Sequence, residues 1–300
     1  MARGPATPGG WTRREVVRGA SVAAGAWAVG CVPAETPLSP EVYTLPEVRR
    51  NPNYTLDRAV TQAQHAARDT RYIELGDTPD EVAAAAASVR VAEWTVEVGG
   101  LVSQPRTYTI QELITSMPIE ERTYRFRALN GHARAVPWIG FPLRALLDAV
   151  VPSDDAKYVT FEADADPASR PNIARHPASR WPYADGLRLD EARHDLTMLA
   201  LGAWGRDLTT AHGAPIRLVV PWKYGYKSVK AIRRVSLVAE EPRSFTAAEH
   251  PKYADFLGNV DPSGRGPQGS QATEQVIPSR ERVPTLPFNG YGDLVAALYR

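Results

Sequence analysis

Residues 213–230 read GAPIRLVVPWKYGYKSVK. Between the turn at Gly213 and Pro215 and a Gly-broken basic loop, Ile216, Leu218, Val219 and Val220 form a run interrupted only by Arg217, the pattern of a strand covered on both faces. A guanidinium inside such a run must be hydrogen-bonded or neutralised, because an uncompensated buried charge is costly. The loop at 222–230 gathers Lys223, Lys227 and Lys230 around Gly225, whose missing side chain lets backbone amides approach a ligand. This set suits an anion, a phosphate above all. The same residues also describe a core strand with a buried ion pair followed by a solvated basic turn, and the pattern leaves both readings open.

Outward from this segment, alternating or continuous apolar runs predict strands at 94–98, 124–128, 157–163, 198–201 and 230–238. Helical stretches are expected at 110–117, 142–150, 190–194 and 294–299, the second opening after Pro142. Residues 83–87 read as a loop or helical turn, 164–181 as a polar surface loop, and 240–267 as irregular chain. With 26 Pro and 22 Gly in 300 residues, a loop-rich mixed α/β (α+β) architecture is favoured over a helical bundle. No repeat or break in composition divides the body.

A net charge of +1 gives no global field, so nucleic-acid binding has no compositional support. A single cysteine, Cys31, excludes an internal disulfide and a cysteine-based zinc or iron–sulfur site. Its setting gives it another use. Arg13 and Arg14 lie within TRREVVR ahead of a short apolar stretch, the layout of a twin-arginine export signal, and Ala28-Val29-Gly30-Cys31 resembles a lipoprotein cleavage box. The expected organisation is a signal over 1–30, a Pro-rich tether over 31–48 lipidated at Cys31, and a single domain over 49–300. There is no nucleophile elbow, P-loop or dinucleotide fingerprint. Asp190 and Glu191 read as capping or solvating a helical turn.

Six segments then carry a family likeness: RNPNYTLD (residues 50–57), VPWIGF (136–141), YADGLRLDE (183–191), the 213–230 segment, QATE (271–274) and PTLPFNGY (284–291). In this order and spacing they resemble the catalytic subunit of the periplasmic protein-methionine-sulfoxide reductase, a family similar to the molybdopterin domain of sulfite oxidases. The resemblance implies a sulfite-oxidase-type molybdopterin-binding domain in the periplasm, reduction of methionine sulfoxide in oxidised periplasmic proteins, and a membrane haem-binding subunit as electron donor. It implies that Arg217, Ser228, Val229 and Lys230 contact the pterin phosphate and that Glu74 lies at the pterin edge.

The resemblance breaks at the metal. The family's molybdenum-binding cysteine follows an Arg-x-Arg strand; here Arg125-Phe126-Arg127 is followed by Ala128, which offers no lone pair. Thr70, Ile73, Ala163 and His212 replace family pterin residues, and His132 replaces a tryptophan near the metal. Three outcomes are compatible with this set. The metal could be held by the pterin dithiolene with Asn130, His132 or water; the fold could serve as a non-catalytic lipoprotein binding module; or His132, His212 and Glu74 could form a different metal site. The expectation is weak or absent sulfoxide reduction.

Overall fold

A computed structural model describes residues 43–300, so Arg13, Arg14, Cys31 and most of the expected tether lie outside the described residues. Two sheets carry the fold. The first has five strands in the order Arg106–Thr109, Thr95–Gly100, Ile232–Val238, Tyr158–Ala163 and Ala184–Arg188. All its neighbours are antiparallel except Thr95–Gly100 with Ile232–Val238, which joins two distant parts of the chain in parallel.

The second sheet is built on His132–Pro142. One edge of this strand takes Glu120–Arg127 antiparallel along nearly its whole length. The other edge is divided, with Thr273–Val276 parallel at His132 and Ala133 and Met198–Ala203 antiparallel from Trp138 to Pro142. Met198–Ala203 in turn pairs with Arg217–Val219, placing Arg217 opposite Ala200. Every residue after His132 in the central strand is buried, so the two-residue alternation that would have announced it is missing. Where it crosses Met198–Ala203, Gly140 is required: a Cβ there would lie 2.0 Å from the Leu199 carbonyl oxygen.

Around these sheets the expected elements are found with small shifts. The helices Ile110–Ser116 and Leu143–Val150 are present, and the C-terminus forms Gly292–Val295 followed by a 3-10 turn, Ala296–Tyr299. The alanine patch is a full helix, Pro79–Ala86, started by a capping box in which Thr78 accepts from the Glu81 N–H and Glu81 accepts from the Thr78 N–H. Two loops expected to be irregular also hold helices, Pro171–Arg175 and Phe245–Glu249. The 164–181 segment is not a surface loop throughout. Arg170 is fully buried against Asp164 at 2.8 Å, and Asn172 donates to the Ile73 carbonyl at 2.6 Å and to Asp77 at 2.9 Å.

Two of the family-like segments have structural work to do. In QATE, Gln271 accepts from Arg127 at 2.7 Å and Glu274 lies 3.4 Å from the same guanidinium. In PTLPFNGY, Asn289 donates to the Pro221 carbonyl at 2.7 Å, and the Tyr291 hydroxyl accepts from the Arg125 N–H at 2.9 Å. Among the described residues no helix is long and apolar enough to cross a membrane.

Candidate functional site

A cavity of about 540 Å³ opens where the hairpin of the second sheet meets the 213–230 segment and the chain at 66–77. Cross-strand register explains the first wall. Phe126 pairs with Arg134, and alternate residues on each strand share a face, so Phe126, Ala128, Arg134, Val136 and Trp138 all line the cavity. Arg125 and Arg127 point the other way, to Asp57 and to Gln271 and Glu274.

Arg217 comes from the buried strand and is only 3% exposed. Its guanidinium donates to three carbonyl oxygens, of His212 at 3.0 Å, Ser228 at 3.3 Å and Leu218 at 3.3 Å. It lies over the rings of Trp138 at 4.8 Å and Phe126 at 5.3 Å. None of these partners is a carboxylate, so the hydrogen bonds are met while the charge is not. Burial, and after it the neighbouring Arg134, push Arg217 down to about 9.

Lys230 is the second cation of the wall. Its ammonium donates to the carbonyls of Arg71 at 2.7 Å and Ala211 at 3.1 Å and sits 4.5 Å from the centre of the Tyr72 ring. Burial and Arg217 hold it well below the ordinary lysine range. Gly213, at φ +97°, makes this packing possible, because a Cβ there would come within 2.8 Å of the Lys230 side chain.

The other two lysines of the loop do not join them. Lys223 turns inward to Glu191 at 2.6 Å, both fully buried, and also donates to the Leu257 carbonyl and Asn259. Lys227 is likewise buried and paired with Asp185. The basic loop is therefore two buried ion pairs and one cavity cation, which corrects the reading of a solvated basic turn after a strand holding its own ion pair: the loop lysines at 223 and 227 are buried, and among the described residues Arg217 has no carboxylate partner. Glu191 is not a solvated helix residue; one oxygen caps the Arg188 N–H at 3.0 Å and the other takes Lys223. Gly225 also serves packing, since a Cβ would meet the Phe126 ring at 2.8 Å.

Ser228, Val229 and Glu74 all line the cavity. The Ser228 N–H is taken by the Gly225 carbonyl at 3.1 Å, whereas among the described residues the N–H groups of Val229 and Lys230 donate to no backbone carbonyl. Glu74 is 3% exposed, and burial pushes its carboxyl up to about 7 against the opposing pull of its own backbone N–H, Arg170 and Lys230. Ala128 lies just past the strand end, where its N–H donates to the His132 carbonyl at 2.9 Å. Its methyl group is part of the cavity wall.

Of the replaced positions, Thr70, Ile73 and His212 line the cavity and Ala163 does not. Thr70 and His212 hold each other. The Thr70 hydroxyl donates to the Ala66 carbonyl at 2.9 Å, so it accepts from His212 Nε2 at 3.2 Å, and His212 Nδ1 then accepts from Thr209 at 2.7 Å. Burial and the surrounding cations keep this imidazole neutral, well below the ordinary histidine range. His132 is engaged elsewhere, 2.6 Å from Asp69. Among the described residues no three His, Cys, Asp or Glu side chains are grouped to hold a metal ion, so the alternative site built on His132, His212 and Glu74 is not formed.

The chain's residues thus fit one end of a molybdopterin and not the other. Two cations without carboxylate partners and two free backbone N–H groups suit its phosphate. Ala128, the position at which the resemblance expects the metal's cysteine, lines the cavity and offers no donor atom in its side chain, and among the described residues there is no cysteine. Sequence reading missed Arg134 and Trp138, although the alternate spacing from 126 to 138 across the hairpin was the available signal.

A family model described as an oxidoreductase molybdopterin binding domain matches residues 83–246. The chain is 38% identical over 276 residues to the protein-methionine-sulfoxide reductase catalytic subunit MsrP of Xanthomonas axonopodis pv. citri (strain 306), covering 90% of this chain and 85% of that one. It is also 38% identical over 292 residues to the MsrP of Burkholderia mallei (strain ATCC 23344), covering 93% and 87%. A solved structure, the sulfane dehydrogenase SoxCD from Paracoccus pantotrophus, superposes with a TM-score of 0.46 at 23% identity, over 60% of this chain and 46% of that chain.

Proposed function

The chain belongs to the family of protein-methionine-sulfoxide reductase catalytic subunits, carried on an oxidoreductase molybdopterin-binding domain, and we propose that its cavity keeps the phosphate-anchoring half of that site without the protein's metal ligand. The observation that carries this reading is Arg217, a buried guanidinium on the cavity wall whose hydrogen bonds all go to carbonyl oxygens. An anion is what its charge lacks.

When bound, molybdopterin supplies a metal centre for oxygen-atom transfer. For their part, Arg217 and Lys230 neutralise the phosphate, Val229 and Lys230 offer backbone N–H groups to its oxygens, and the rings of Phe126 and Trp138 keep water from the guanidinium. Glu74 holds a proton at the same wall near neutral pH. At Ala128 the protein contributes no soft anionic ligand, so reduction of protein methionine sulfoxide by the chain as it stands is weak or absent. The other reading, a non-catalytic binding module, has the same support at Ala128 and differs in whether metal is retained. Molybdenum and pterin analysis of protein purified from its native host separates the two.

Around this core we place export by the twin-arginine route through Arg13 and Arg14, anchoring through Cys31, a periplasmic location and a membrane haem-bearing electron donor. These rest on the sequence pattern and the family.

The direct test of the cavity is thermal unfolding in phosphate. A ligand that binds only the folded state stabilises it by about 2.7 kcal/mol at a hundredfold excess over its dissociation constant. The parent protein is expected to gain melting temperature with phosphate and Arg217→Ala to gain none. A parent whose melting temperature ignores phosphate refutes the reading.

A further inference from the structure

Pro267 and Gln268 line the cavity and are both exposed, yet neither brings a charge to it. They are the two-residue turn of a hairpin, Arg265–Gly266 paired with Gly269–Ser270, that forms a sheet of its own. Gly269, at φ +105°, lets the chain reverse there.

The base of this hairpin is fixed and its tip is not. At the base the Gln271 N–H donates to the Gly264 carbonyl at 3.1 Å, and the Gly264 N–H to the Asp261 carbonyl at 3.2 Å. The buried Gln271 side chain accepts from Arg127 at 2.7 Å and donates to the Leu129 carbonyl at 3.0 Å, so the base is tied to the residues on either side of Ala128. Gly266 rests on the same spot, because a Cβ there would lie 2.7 Å from the Leu129 carbonyl oxygen. From Arg265 to Gly269, by contrast, no hydrogen bond or ion pair leaves the hairpin among the described residues. Two residue pairs fall far short of an independently stable ribbon, and local opening is easiest where few contacts are buried. The hairpin thus runs from Leu129 to the cavity edge and lies beside Ala128, which is half-buried on that wall.

We propose that residues 264–271 form a flap over the Ala128 end of the cavity and set the size of what reaches that wall. A slender side chain on an extended segment passes beneath the tip, and a bulky or folded body does not. The Gln268 amide, which has no partner among the described residues, offers the entering group one donor and one acceptor. This goes beyond the anion reading and does not depend on it, since the cations stand at 217 and 230 while the flap bears on residue 128.

Cys31→Ser with Ala128→Cys leaves one thiol in the chain, on the cavity wall. Its reaction with N-ethylmaleimide and with the rigid, larger N-(1-pyrenyl)maleimide, both neutral, reports the width of the opening, each rate taken relative to the same reagent with free cysteine. Replacing residues 265–270 by two glycines shortens the flap to a β-turn, since the Gly264 carbonyl and the Gln271 N–H already meet as the first and fourth residues of a turn do. The pyrenyl rate should then rise about tenfold, a fall of about 1.4 kcal/mol in its barrier, with the ethyl rate changed less than about twofold. Gln268→Trp, at an exposed site that leaves the base intact, should slow the pyrenyl reagent with the flap at full length. Hydrogen exchange reads the motion itself: the Gln268 and Gly269 amides should exchange far faster than those of Thr273–Val276. Pyrenyl rates that neither variant changes, or equal gains for the two reagents, overturn the size filter. Tip amides as protected as that strand overturn the flap. If the shortened protein does not fold, Gln268→Trp and the exchange rates decide.

Discussion

On the proposed reading, the methyl group of Ala128 limits what the cavity can do, because the wall around it carries two cations, Arg217 and Lys230, without carboxylate partners. Ala128→Cys places a thiol on that wall at little added volume. Since outer-shell partners of a metal already carry ~10–100-fold in affinity or activity, restoring a direct ligand should raise molybdenum content and sulfoxide turnover by at least that much. An Ala128→Cys protein free of molybdenum would show that more than the ligand has been lost. Glu74 offers an independent check. Its carboxyl is raised to about 7, so as pH rises through that value it adds a negative charge beside Lys230 and anion affinity should fall. Sulfate is the proper probe because it does not itself titrate there, and Glu74→Gln should flatten the profile; an unchanged profile would take Glu74 out of the site. The same raised value means the protonated carboxyl favours the fold. That contribution is present below the ordinary glutamate pKa and is lost as pH rises through about 7. Thr70 and His212 are quieter, for the hydrogen bond between them meets each one's needs without a ligand.

Among the elements, those with a regular period or an unbroken apolar run were legible in the sequence, as at Met198–Ala203, and those shaped by tertiary partners were not. Ile232–Val238 and Tyr158–Ala163 alternate in burial and were found at their places. His132–Pro142 is buried on both faces and carries two prolines, so nothing in its pattern marks a strand, although it is the one on which the second sheet is assembled. The basic loop shows the other limit. Arg217 announced itself as a cation in an apolar run, but lysines at 223, 227 and 230 look alike in sequence, and only the approach of Glu191 and Asp185 from another part of the chain separates buried pairs from a cavity cation. The Lys227 pair should therefore behave as a buried one. Lys227→Met leaves Asp185, fully buried, without its counter-charge and should cost about 3–5 kcal/mol in chemical denaturation. Adding Asp185→Asn should recover part of that loss, since the amide oxygen can still accept from the Gly186 N–H while its NH2 donates to the Ser244 hydroxyl. A cost below about 1 kcal/mol, the size of an exposed pair, would mean that water reaches the site.

For the whole molecule, a net charge of +1 hides a strongly uneven interior, where ion pairs cancel in the body and leave positive charge at the cavity. The cavity walls come from three separate parts of the chain, around residues 66–77, 126–138 and 212–230, which are brought together only by the fold. A ligand that needs all three can be taken up only after folding. If loading precedes export, the transport route must accept a folded protein, and the paired guanidiniums of Arg13 and Arg14 are the feature that would address it there. Arg13→Lys with Arg14→Lys keeps the charge but removes the guanidiniums, so the protein is expected to remain in the cytoplasm, folded and able to bind phosphate. Cell fractionation checks this, and normal export of the double variant would refute the signal. Cys31→Ser tests the anchor separately: the exported protein should move from the membrane fraction to the soluble periplasm. Retention on the membrane would mean that something other than a lipid at residue 31 holds it.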